Sequence, residues 1–238
     1  MSRCLALKDK VVGHTDESGV TLPPLHPRCR CAIMYNEVEK IRIPTIIINN
    51  YDDVAKIRTA KEFMTLGEQI KPTIEHYAGR TSKWSGQIVL TDSGNKSGGK
   101  LWDCSVRLNP DAPEHVLIHE LIHSCSVSHY GATMYAIHNW EEELTIHYLS
   151  QEIAKMKNIP VVESGYDEGV KLIREFKLVL GLKMSDLEFA SELVKQPLGE
   201  RWDWLAEKIY DTLGMNATME QYQNFVDGLE AIRQWTAL

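Results

Sequence analysis

The 238 residues carry 43% hydrophobic and 25% charged side chains and a formal net charge of −7, the make-up of a soluble globular chain long enough for one large domain, or for a domain with an appendage. The acidic balance excludes a general nucleic-acid binder, which needs a basic surface to neutralise phosphate. No stretch approaches the roughly 18 consecutive apolar residues of a membrane span, and the first residues show no apolar segment with a small-residue cleavage site, so synthesis in the reducing cytosol is expected.

Three of the five cysteines, Cys4, Cys29 and Cys31, fall in the first 31 residues. Leu22-Pro23-Pro24-Leu25-His26-Pro27-Arg28-Cys29-Arg30-Cys31 cannot be a regular helix or a central strand, because its prolines fix φ and remove backbone donors. His26 just before Cys29 and Cys31 suits a metal knuckle better than a disulfide framework. Together with Cys4-Leu5-Ala6-Leu7, this run resembles the C-terminal tail of phage Mu-type minor head (head morphogenesis) proteins. The resemblance implies that 1–37 is a remnant of such a tail, with Met1 opening a truncated or split product. It leaves two readings for Cys4, His26, Cys29 and Cys31: a rigid proline-stapled tail carrying free thiols, which is the expectation, and a structural-zinc set as the alternative.

Further along, the β-branched run Ile41 to Asn50 predicts a strand, and Asp52 to about Tyr77 predicts a helix broken near Pro72. Gln87 to Thr91 and Lys100 to Asn109 flank a polar, glycine-rich loop and read as a hairpin or as adjacent strands. Cys104 and Cys125 stand alone and read as small buried hydrophobes. After Pro113 an apolar helix runs through Cys125, and a second spans about Asn139 to Lys157. Helices follow at about Asp167 to Leu180, Ser185 to Lys195, Glu200 to Leu213 and Thr218 to Trp235, two of them opened by capping boxes. The last third carries no chemistry beyond amphipathic packing.

The chemistry concentrates at His119-Glu120-Leu121-Ile122-His123. Residues four apart on a helix are displaced by only about 40° around its axis, so His119 and His123 can hold one ion from the same face. Glu120 projects about 100° away, free to serve as general base toward water. Val116, Leu117, Ile118, Leu121 and Ile122 make the helix apolar nearly all round, so it should be buried, and buried histidines need partners. Three sources compete for the third ligand. Glu142 shares its helical stripe with Ile146, Leu149, Ile153 and Met156, and a carboxylate on a buried stripe must be paired or bound to metal. His129 follows at a spacing seen in metzincins. Glu143 and Glu141 are the remaining choices.

This pattern resembles the gluzincin metallopeptidases, in which a His-Glu-x-x-His helix is followed by a helix bearing a glutamate in an Asn-Glu-Gly type motif; Glu141 and Glu143 here replace the Asn and the Gly. The resemblance implies an α+β fold, a mostly helical zincin-like metallopeptidase domain over 38–238. Its active-site core would span about 84–158, with a small sheet beside the metal-binding helix, and a helical C-terminal part would span about 160–238. It implies one catalytic Zn2+ held by His119, His123 and Glu142, with Glu120 activating water. Tyr148, Tyr166 or His147 would stabilise the oxyanion, and Lys100 to Leu108 would serve as a cleft-edge strand; His115 is expected to pack in the core, with a place behind the metal ligands as the alternative. The expected activity is peptide hydrolysis by a prophage effector or head-associated protease. Its partners would be a polypeptide substrate and phage head proteins or a cognate inhibitor, without nucleic acid or membrane, in the bacterial host cytoplasm or the virion. The contrasting expectation is an inactive phage head structural protein with the same fold.

Overall fold

The computed structural model describes residues 47–48, 57–91, 98–101, 103–126, 132–179, 181–213, 218, 223, 226–228, 230 and 232. The knuckle candidates Cys4, His26, Cys29 and Cys31, the ligand candidate His129 and much of the expected final helix lie outside the described residues.

The chain forms an α+β fold and divides into two compact units. One comprises Thr45–Val170 and Lys183–Trp204; the other includes Lys171–Leu182 and Leu205–Leu238. In the latter, Ile173, Phe176 and Ile232 are buried, and a Cβ on Gly228 would stand 3.4 Å from the Phe176 ring.

The first unit opens with strand β1 (Ile47–Ile48) and helix α1 (Ala60–Ala78). Thr59 starts α1 with a reciprocal cap: its hydroxyl accepts from the Glu62 N–H, and the Glu62 carboxylate accepts from the Thr59 N–H at 2.7 Å. The expected break at Pro72 does not occur, and the helix runs on to a left-handed Gly79. Phe63, Gly67, Ile70, Ile74 and Ala78 line one buried face on both sides of the proline, and this continuous apolar stripe outweighs one lost backbone hydrogen bond. At Gly67 the Trp84 ring lies where a Cβ would be only 2.7 Å away.

Strands β2 (Ile88–Leu90), β3 (Gly98–Lys100) and β4 (Val106–Leu108) form a mixed sheet in the order β2-β4-β3. β2 runs parallel to β4, and β3 antiparallel to it. The expected single strand from Lys100 to Asn109 is therefore two strands joined by a tight reversal. Leu101 N–H donates to the Ser105 carbonyl at 2.9 Å, Asp103 accepts from the Ser105 N–H and hydroxyl at 2.9 and 2.6 Å, and Cys104 takes a left-handed φ of 62°. This local side-chain bonding competes with the extended ladder and turns the chain.

Helices α2 (Glu114–Cys125) and α3 (Ala132–Met156) follow, then strand β5 (Val161–Val162), α4 (Asp167–Val179), α5 (Asp186–Lys195) and α6 (Arg201–Leu213). Helix α3 starts earlier than the sequence suggests and kinks at His138 (φ −116°, ψ 20°), beyond which it matches the expected span. β5 pairs in parallel with β1, a connection no sequence pattern announced. Ser185 caps α5 through Glu188, as its box predicts. Among the described residues no helix is long and apolar enough to cross a membrane.

Candidate metal centre

Helix α2 is buried almost throughout, from His115 to Cys125 with the exception of Val116, as its all-round apolar character requires. Strand β3 lies directly on it: a Cβ at Gly98 would stand 2.8 Å from Val116 Cγ1 and 3.1 Å from Glu120 Oε1. Only a residue without a side chain lets the strand approach so closely. The Glu120 carboxylate accepts a backbone hydrogen bond from Lys100; burial, partly offset by His119 and His123, raises its pKa above the ordinary carboxylate value.

One turn of helix aligns the two imidazoles. His119 Nε2 and His123 Nε2 are 3.1 Å apart, and Glu143 Oε2, from α3, lies 3.1 Å from the first and 3.4 Å from the second. The three residues form a buried His-His-Glu group able to hold a metal ion. Ligands held about 2.0–2.2 Å from a tetrahedral zinc ion stand roughly 3.3–3.6 Å from one another, close to the separations found. The donor set, two imidazoles and one carboxylate, is also one that zinc accepts. Burial disfavours the charged form of His123, but Glu143 and Glu142 outweigh it and hold the imidazolium pKa well above its usual value. Glu143 is likewise held well below the carboxylate range by His123 and His119, against the cost of its burial.

Glu142, the sequence's first choice as ligand, is placed differently. It is fully buried, and its Oε1 lies 3.3 Å from Nδ1 of His123, on the far side of that ring from the ligand group. Its Oε2 is 2.9 Å from Nη1 of Arg201, a contact of charges between two side chains with no solvent exposure. Burial alone would raise the Glu142 pKa, yet Arg201 and His123 bring it down to about 2. As an ionised carboxylate only accepts hydrogen bonds, Nδ1 of His123 carries a proton toward Glu142, and Nε2, facing Glu143, is the nitrogen that would give up its proton to an ion. Arg201 also donates to the Thr145 hydroxyl and, at 3.4 Å, to that of Ser126.

The third glutamate, Glu141, accepts from the backbone N–H groups of Gly199 (2.9 Å) and Arg201 (3.3 Å). Gly199 has φ of 90°, and a Cβ there would be 3.1 Å from the His138 ring. The backbone of 199–201 thus fits against α3 only because position 199 is glycine.

A second polar cluster flanks the group. His147, one turn beyond Glu143 on α3, has Nε2 3.0 Å from Asp167 Oδ1 and 2.8 Å from Ser164 Oγ, and Gln151 donates to Asp167 at 2.6 Å. The Tyr166 ring stacks on His119 at 6.4 Å between centroids and approaches His147 at 5.5 Å and Trp140 at 5.9 Å. Burial, with Glu143 and Glu120 nearby, pushes the Tyr166 hydroxyl up to about 12, so it remains a donor at neutral pH. Of the two tyrosines singled out by sequence, Tyr166 therefore borders the histidines, whereas Tyr148 is fully buried against Phe189. His115 is buried, its Nδ1 has no hydrogen-bond partner, and burial together with His147 and His119 lowers its pKa to about 3.

Sequence reasoning missed Arg201 and Asp167. Arg201 shares a helical stripe with Leu205, four positions on and equally buried. An arginine on a buried stripe is the same signal that drew attention to Glu142. No protein-family model, no curated protein and no solved structure matches the chain.

Proposed function

We propose that the protein is a zinc-dependent peptidase in which His119, His123 and Glu143 hold the ion and Glu120 is the general base. The observation that carries this reading is the convergence of His119 Nε2, His123 Nε2 and Glu143 Oε2 in one buried group, with Glu120 held beside it between α2 and β3. Zinc, when bound, supplies Lewis acidity that acidifies water and polarises a carbonyl. Glu120 takes a proton from the attacking water and delivers it to the leaving amine; its raised pKa brings it nearer the working pH of a base that must also act as acid. The Tyr166 hydroxyl donates toward the oxyanion. β3, at the edge of the sheet beside α2, offers backbone groups to an extended peptide. This reading takes Glu143 as the ligand from α3 in place of Glu142. Attachment to a phage head or its host cell rests on the 1–37 motif alone.

The test pairs zinc stoichiometry with cleavage of a fluorogenic peptide library by wild type and Glu120→Gln. One zinc per chain in both proteins, and a cleavage rate about 10²–10⁴-fold lower in the variant, are expected. Equal zinc with no peptide cut by either protein overturns the peptidase and leaves a structural head protein.

A further inference from the structure

A side chain outside the ligand group governs how His123 faces the ion. The Nδ1 edge of that ring meets Glu142, and Glu142 meets Arg201, all three side chains being buried. The Arg201 guanidinium, 2.9 Å from the other oxygen, pins the Glu142 carboxyl group, so the Nδ1 edge of His123 is held on that side and its Nε2 is turned toward His119 and Glu143. Arg201 is itself fixed from two directions. Thr145 and Ser126 accept from its guanidinium, and Glu141 clamps the backbone at Gly199 and Arg201. The consecutive acids on α3 therefore divide the work: one faces the ion, one orients a ligand from behind, and one anchors the segment that delivers the arginine.

We infer that Arg201 is a positioning residue for the metal site: acting through Glu142, it holds the Nδ1 edge of His123 in place and so presents Nε2 to the ion, and zinc affinity depends on it. The inference rests on reading His119, His123 and Glu143 as a zinc site, and the experiment separates the two. Zinc affinity is measured on the full chain by competition with a chromophoric chelator, alongside thermal melting without metal.

Arg201→Met should weaken zinc binding by about 10–100-fold, and Arg201→Lys, which keeps the charge, should recover most of that loss. Melting reports the purely structural share. Where Arg201→Met does not fold, Glu142→Met combined with Arg201→Met replaces the buried pair by apolar groups of similar volume and should show the same loss. In zinc-loaded wild type, a slowly exchanging Nδ1 proton on His123 is expected in NMR spectra. Affinity of the folded Arg201→Met or double variant within about twofold of wild type, or no such Nδ1 proton, overturns the positioning role. A wild type that binds no zinc sinks the metal site itself.

Discussion

Two buried polar regions meet at His123, and they are built on opposite rules. On its Nδ1 side, Glu142 and Arg201 meet as opposite charges, and Arg201 donates to Thr145 and Ser126. On its Nε2 side, two imidazole nitrogens and the Glu143 oxygen converge from two helices in one group that could hold an ion. Burying polar atoms is costly in both places. The first region answers that cost from within the chain, whereas the second is arranged as a cation would need it. A buried carboxylate thus reveals little by its burial; what matters is which donor and acceptor atoms converge on it.

The contrast can be broken most forcefully at Glu143. Glu143→Ala should reduce zinc affinity by more than the ~10–100-fold expected of an orienting carboxylate, as isothermal titration would show. Unchanged affinity would move the ion elsewhere. Glu142→Ala should show itself in stability, because it strands the Arg201 guanidinium in the interior. Removing one partner of such a pair costs about 3–5 kcal/mol, readable from urea unfolding of the metal-free protein. A loss below about 1 kcal/mol would mean that water or another group shares the charge.

A third comparison is with pH. His115 is buried and neutral, with a folded pKa of about 3, below the unfolded value near 6.5. As pH falls from 6.5 toward 3 the unfolded chain takes up a proton that the folded one refuses, so stability is lost over that window. Glu142, lowered to about 2, adds loss as pH falls below about 4.5. Metal-free His115→Gln should therefore gain on wild type progressively between pH 6.5 and 3, and Glu142 should account for the steeper fall below. A constant difference across that range would show that His115 is charged in the fold.

Much of this was readable in the residues. The all-round apolar helix carrying His119 and His123, the second helix with its acidic run, and the capping box at Ser185 each follow from local pattern and spacing. The α+β class came with the resemblance that those two helices carry. Which glutamate faces the ion did not follow. Glu142 and Glu143 lie about 100° apart on their helix, and the choice between them depends on how α3 crosses α2, a property no single-helix pattern encodes. The stripe argument located the buried carboxylate correctly, since Glu142 has no exposure. It could not distinguish a metal from an arginine as the partner, because either answers the same electrostatic need. The β2-β4-β3 order and the turn at Asp103–Ser105 were hidden because short strands are paired by tertiary packing and by a side-chain hydrogen bond to the backbone.

The order of these pieces along the chain has a kinetic corollary. His123 and Glu143 are 20 positions apart, whereas Arg201 joins Thr145 across 56. Closing the longer loop costs only slightly more entropy, about 0.6 kcal/mol per doubling, but it must wait until the intervening segments are in place. Pairing α2 with α3 is thus the more local event, and substitutions at Arg201 should act mainly on the unfolding rate, which a chevron measured on Arg201→Met would check.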